Sequence, residues 1–137
     1  TQLIKDFYNY RTYHGCALSL PVQKASIAAW QDESHVIVNR QLYRQKFAAV
    51  TSILQGVLPF SIPEASFYLW PQTPIDDTQF ARDLYRNENL TVLPGQYLSR
   101  PTDNGNPGYR RVRLALVAPV DECAEAAHRI RNFVNQL

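Results

Sequence analysis

Cysteine is scarce in this 137-residue chain. Only Cys16 and Cys123 occur, far apart and in no ligand-like spacing with His14, His35 or His128, so neither a zinc site nor a disulfide framework is expected. A reduced, cytoplasmic setting fits that usage best. Methionine is missing altogether, even at the first position, as expected of a piece of a longer chain. No run approaches the roughly 20 apolar residues of a membrane span, and the opening TQLIKDFYNYRTYHG lacks the zones of a signal peptide, so no membrane partner is expected. The five glycines match neither a Walker loop nor a dinucleotide fingerprint. Charge of one sign is also lacking: 14 Lys and Arg against 12 Asp and Glu leave a net +2, too mild to imply a polyanion unless the arginines cluster. They cluster once, at Arg110, Arg111 and Arg113.

What is present is a hydrophobic content of 45%, enough for one domain with a core. The nine prolines fall between periodic segments rather than within them. Ser19 can cap a helix with Pro21 in its first turn and an apolar stripe of Val22, Ala25, Ala29 and Trp30. Asp32 offers a second start, and from there to about Gln55 the residues Tyr43, Phe47, Val50, Leu54 and Leu58 recur every three or four positions, the pattern of a long amphipathic helix. Tyr43, Phe47 and Trp30 are expected in the core.

SIPEASFYLWP, bounded by Pro63 and Pro71, switches to aromatic, β-favouring residues and reads as a strand. Asp76 with Gln79 three residues later forms a capping box, and Ile75 can staple onto Phe80, so a helix should run to about Asn89. LTVL reads as a short strand. Residues 94–108, rich in proline and glycine, form a loop long enough to carry function. It leads into a strand over 109–117, with Val112, Leu114 and Leu116 on one face and Arg111, Arg113, Ala115 and Val117 on the other. A last helix, capped by Asp121, carries the stripe Cys123, Ala127, Ile130, Val134 and Leu137. The order predicts an α/β layered sandwich, a small mixed three-stranded sheet covered by about four helices.

Arg113 is the candidate of most interest, because a guanidinium inside a largely buried strand needs a partner, and leaving it unpaired costs several kcal/mol. Two partners are open at this point. One is an internal carboxylate such as Glu64 or Asp83; the other is the carboxylate of a ligand, held by two parallel charge-assisted hydrogen bonds from the planar fork. Arg110 and Arg111 with Tyr109, Tyr97 and Arg100 offer a further alternative, a basic aromatic surface for single-stranded nucleic acid. His35 and His128 read as surface or packing residues. His14, in a loop between tyrosine and glycine, is a candidate to line a site, and Cys16 beside it reads as an inert thiol.

Four stretches, PVQKASIAAW, IPEASFYLW, LTVLPGQYL and VRLALV, together resemble the C-terminal small domain of pyridoxal phosphate aminotransferases of the aspartate aminotransferase type. The likeness spans nearly the whole chain, with residues 1–18 as the segment linking from a cofactor-binding large domain and 19–137 as the small domain. YRTYHGCALSLPVQKASIAAW and NPGYRRVRLALVAPVDECAEAAHRIRNF resemble the succinyldiaminopimelate aminotransferase branch of that family.

The resemblance implies that Arg113 binds the α-carboxylate of amino acid and 2-oxo acid substrates. It implies that the long loop shapes the far end of the pocket, with Arg100, Asn104 and Asn106 as contacts. It also implies pyridoxal phosphate as cofactor, a cytoplasmic homodimer as the parent enzyme, and no nucleic-acid partner. Such enzymes hold the cofactor on a lysine in a serine-rich and glycine-rich setting, and none of the three lysines here, Lys5, Lys24 and Lys46, has those surroundings. The Schiff-base lysine is therefore expected upstream of Thr1, and the chain alone is expected to be inert. The rival class is a freestanding module that binds nucleic acid or an anionic metabolite.

Overall fold

A computed structural model describes residues 1–15 and 17–137 of the chain, so Cys16 lies outside the described residues. The chain divides into two compact units, Thr1–Val38 and Asn39–Leu137.

The first unit holds α1 (Gln2–Tyr13), α2 (Leu20–Gln31) and the beginning of α3 (Ser34–Leu54). The helix α1 was not expected in the linking segment. Its apolar residues Leu3, Ile4, Phe7 and Tyr8 share one face but are all exposed, and an exposed contact runs from Gln2 Nε2 to Asp6 Oδ1 at 2.9 Å. Pro21 sits in the first turn of α2 as expected, but Ser19, at the capping position, gives no side-chain hydrogen bond. The expected placement of Trp30 in the core is corrected: it is 82% exposed, and no residue of α1 or α2 is buried. A stripe becomes core only where an opposing apolar face covers it, and within this unit none does. Between α2 and α3, Asp32 accepts hydrogen bonds from the hydroxyl and N–H of Ser34 and pairs with His35, contacts that lower its carboxyl pKa.

The second unit contains the C-terminal part of α3, then β1 (Tyr68–Leu69), α4 (Asp77–Glu88), β2 (Leu93–Pro94), β3 (Val112–Ala115) and α5 (Val120–Val134). The expected α/β sandwich and its three strands are present, with five α-helices among the described residues and a sheet order of β1-β3-β2. The expected mixed strand directions are corrected, because β3 runs antiparallel to both neighbours, Leu114 opposite Leu69 and Arg113 opposite Leu93. The strand expected over 109–117 is shorter because Arg110 adopts a left-handed φ of 54°, which breaks the extended backbone just before it.

The apolar faces meet in one core. Val50 and Leu54 of α3, Leu69, Phe80 and Leu84, Val112, Leu114 and Leu116, and Cys123, Ala127, Ile130 and Phe133 are all buried. Tyr43 and Phe47 are half-buried, with Phe47 packed against this core. Phe80 meets Phe133 edge to face, ring centroids 5.3 Å apart. Two expectations for α5 are corrected. Pro119, not Asp121, occupies the capping position, because the Cys123 N–H bonds to the Pro119 carbonyl and starts the helix earlier. Val134 is half-buried and packs against the core as expected, but Leu137 is exposed and the buried residue of that last turn is Phe133.

The loop after β2 is firmly built. Its ends approach so closely that a methyl group at Gly95 would lie 2.3 Å from the Gly108 carbonyl oxygen, and one at Gly108 would lie 2.2 Å from that of Gly95. Both obstacles are backbone. Gly95→Ala is therefore expected to destabilise the fold by about 2–3 kcal/mol, since the two backbone segments must part to admit the methyl. Gly56→Ala has open space but a φ of 77°, so it should cost only about 1 kcal/mol. Comparing the two by denaturant unfolding checks whether close approach, and not glycine flexibility, governs the first site; equal losses would reject that explanation.

Candidate functional site

Period-two alternation builds the site. With Leu69 buried, Tyr68 and Trp70 flank it on the opposite face of their segment, and with Val112 and Leu114 buried, Arg113 points away from them, to the side of Tyr68 and Trp70. These side chains line an open groove of about 460 Å³, together with Pro63, Ser66 and Leu98. The guanidinium of Arg113 lies 5.8 Å from the centre of the Tyr68 ring, within reach of a cation–π attraction.

The decisive detail is its hydrogen bonding. Arg113 Nε is buried and has no hydrogen-bond partner, a state it shares with Arg110 Nε; unlike Arg110, whose fork reaches the Pro74 carbonyl, Arg113 lines a groove. The ion pairs among the described residues are His35 with Asp32, Arg86 with Asp83, and Arg129 with Glu125, so Arg113 has no carboxylate partner there. Of the two internal partners open from sequence, Asp83 is taken by Arg86 at 3.5 Å, and Glu64 is exposed and lines a different groove. That second groove, about 910 Å³ and flanked by Arg40 and Arg44, is larger. Its arginines are exposed to water, which satisfies them, whereas Arg113 is half-buried in its groove and has no carboxylate beside it among the described residues.

The other candidates are spread apart. Arg110 turns back to the Pro74 carbonyl, and Arg111 donates from Nη1 to the Trp70 carbonyl at 3.2 Å, so these two arginines are engaged with backbone instead of forming an open stripe. Arg100 and Asn104 are exposed on the loop. Asn106 is half-buried, and its Oδ1 already accepts from Ser99 Oγ and from the Gly108 N–H at 2.9 Å. His14 is exposed, stacked on Tyr10 with centroids 4.7 Å apart, and belongs to the Thr1–Val38 unit.

Sequence reasoning missed Trp70 and Leu98 as groove walls and also the burial of Lys46. Alternation around Leu69 was the available signal for Trp70. Lys46 lies one turn before Val50 on the inward stripe of α3, where its Nζ donates to the Val117 carbonyl at 3.1 Å and sits 4.8 Å from the Tyr43 ring centre. No helix among the described residues is long and apolar enough to cross a membrane.

No family model matches the chain. Among solved structures, an aminotransferase of Neisseria meningitidis is 53% identical and superposes with a TM-score of 0.83, over 96% of this chain and 34% of its own. A probable N-succinyldiaminopimelate aminotransferase of Thermus thermophilus is 32% identical with a TM-score of 0.63, over 74% of this chain and 26% of its own. A probable aminotransferase of Mycobacterium tuberculosis is 28% identical over 131 residues, 94% of this chain and 29% of that protein. The homologues and structural neighbours are thus aminotransferases, of which the chain spans about a third of the length.

Proposed function

We propose that this chain is the small domain of a pyridoxal phosphate-dependent aminotransferase, in which Arg113 takes the α-carboxylate of the amino acid and 2-oxo acid substrates. The observation that carries the reading is Arg113 on the wall of an open groove without a carboxylate partner among the described residues, its Nε buried and unpartnered. A carboxylate supplies the two parallel acceptors that the planar fork lacks, and its charge offsets that of the guanidinium. The Tyr68 and Trp70 rings and Leu98 give the contact partly apolar walls. Likeness to aminotransferases along nearly the whole chain supports the same choice over a freestanding binding module.

At finer grain, we assign the parent to succinyldiaminopimelate transamination in lysine synthesis, with glutamate as donor. The likeness to the Thermus thermophilus protein supports that assignment. Arg100, Asn104 and the amide of Asn106 would meet the far end of such a substrate from the loop. The parent is taken to be a cytoplasmic homodimer, as the family resemblance implies.

The residues of this chain do not fit a cofactor site of their own. Lys5 and Lys24 are exposed on α1 and α2, Lys46 is engaged with the Val117 carbonyl, and none of them lines the Arg113 groove. Pyridoxal phosphate supplies the carbanion stabilisation of amino transfer when bound, and its lysine would come from outside these residues. The expected result is that the purified chain, mixed with pyridoxal phosphate and glutamate, gives no Schiff-base absorbance and no turnover, while the intact parent gives both. Absorbance and turnover together from the chain alone would reject the division of labour.

A further inference from the structure

Asp77 is fully buried, yet no cation pairs with it among the described residues. It opens α4, where the positive end of the helix dipole favours a carboxylate. Its Oδ1 accepts from the side-chain amide of Gln96 at 2.7 Å and from the Arg110 N–H at 2.9 Å, and its Oδ2 accepts from the Gln96 N–H at 3.0 Å. One carboxylate thereby grips both ends of the long loop.

What it grips leads directly to the groove. Two residues beyond Gln96, Leu98 forms part of the wall around Arg113. Arg110 holds the left-handed backbone, φ 54°, from which β3 emerges, and its carbonyl accepts from the Thr73 N–H at 2.8 Å. An arginine costs energy in that conformation, so the turn needs anchors such as the bond to Asp77. Three residues on stands Arg113.

We propose that Asp77 is a positioning residue for substrate carboxylate binding: it fixes the turn at Arg110 and the loop at Gln96 so that the Arg113 fork and the Leu98 wall meet the ligand together. The inference rests on the reading of Arg113 given above. Asn cannot replace the aspartate, because its NH₂ would face one of the three donors and leave that bond unmade. A misplacement of about an ångström at the fork is enough to cost a large factor in binding and rate.

The experiment measures, in the intact parent enzyme, the dissociation constants of a 2-oxo acid and of the matching carbonyl compound without the carboxylate. Wild type, Asp77→Asn, Arg113→Ala and the double variant form the set. Asp77→Asn is expected to weaken the 2-oxo acid about tenfold with little change for the analogue, and to have almost no effect when Arg113 is already alanine. Gln96→Ala, which removes the side-chain bonds to Asp77 and Asp76 and leaves the backbone bond to Asp77, should give a smaller loss of the same kind; it replaces Asp77→Asn in the cycle if that variant does not fold.

A loss that persists undiminished in the Arg113→Ala background, or one equal for both ligands, overturns the positioning role. Failure of Arg113→Ala to distinguish the two ligands overturns the reading of Arg113 itself. The two failures are thus separable.

Discussion

Replacing Arg113 with alanine in the intact parent enzyme is expected to lower kcat/KM for the amino acid donor by about a hundredfold or more, the equivalent of roughly 3 kcal/mol. The size follows from what is removed. The guanidinium lies in a groove walled by Tyr68, Trp70 and Leu98, and its Nε is buried without an internal acceptor, so in the variant the substrate carboxylate enters with no counter-charge. Arg113→Lys keeps the charge but loses the planar fork, so it should recover only part of the loss. Truncating Arg129 instead, whose partner Glu125 is exposed and solvated, should change kcat/KM little. Specificity constants unchanged by Arg113→Ala would remove the substrate role.

The second large effect concerns the support beneath the site. Phe80→Ala should cost about 3–5 kcal/mol of stability, because Phe80 is fully buried, meets Phe133 edge to face, and lies in the first turn of the helix that begins with Asp77. In thermal unfolding of the intact parent, if it unfolds as one unit, this corresponds to a midpoint lower by about 4–6 °C. Phe80→Leu, which retains most of the volume, should lose much less. A loss below about 1 kcal/mol for the alanine variant would contradict the packing described for α4 and α5.

The alternation around Arg113 was legible because every second residue of VRLAL is aliphatic and the charge falls between two of them. The start of α4 was legible for a comparable reason: Asp76 accepts from the Thr78 hydroxyl and from the Gln79 N–H, the latter the capping half of the expected box, and both bonds lower its carboxyl pKa, the first more strongly. Asp77 beside it was not legible. An Asp-Asp pair at a helix start reads as solvated dipole complement, while the groups that desolvate the second one stand 19 and 33 residues away.

Trp30 fails in the opposite sense. Its stripe is correct as a pattern, but a sequence carries no information on whether another surface covers the stripe, and within Thr1–Val38 none does. Asn106 is intermediate: its place in a glycine and proline loop suggests a ligand contact, whereas its carbonyl oxygen is taken up by Ser99 and Gly108 in holding the loop together. Long-range hydrogen bonds of this kind follow from the tertiary fold and leave no periodic trace.

The most direct measurement is a crystal structure of the intact parent with glutamate or a 2-oxo acid bound. The expected result is the substrate carboxylate facing the Arg113 fork, with its oxygens about 2.7–2.9 Å from guanidinium nitrogens. A bound substrate whose carboxylate sits elsewhere, with Arg113 Nε still unpartnered or turned to a protein acceptor, would contradict it.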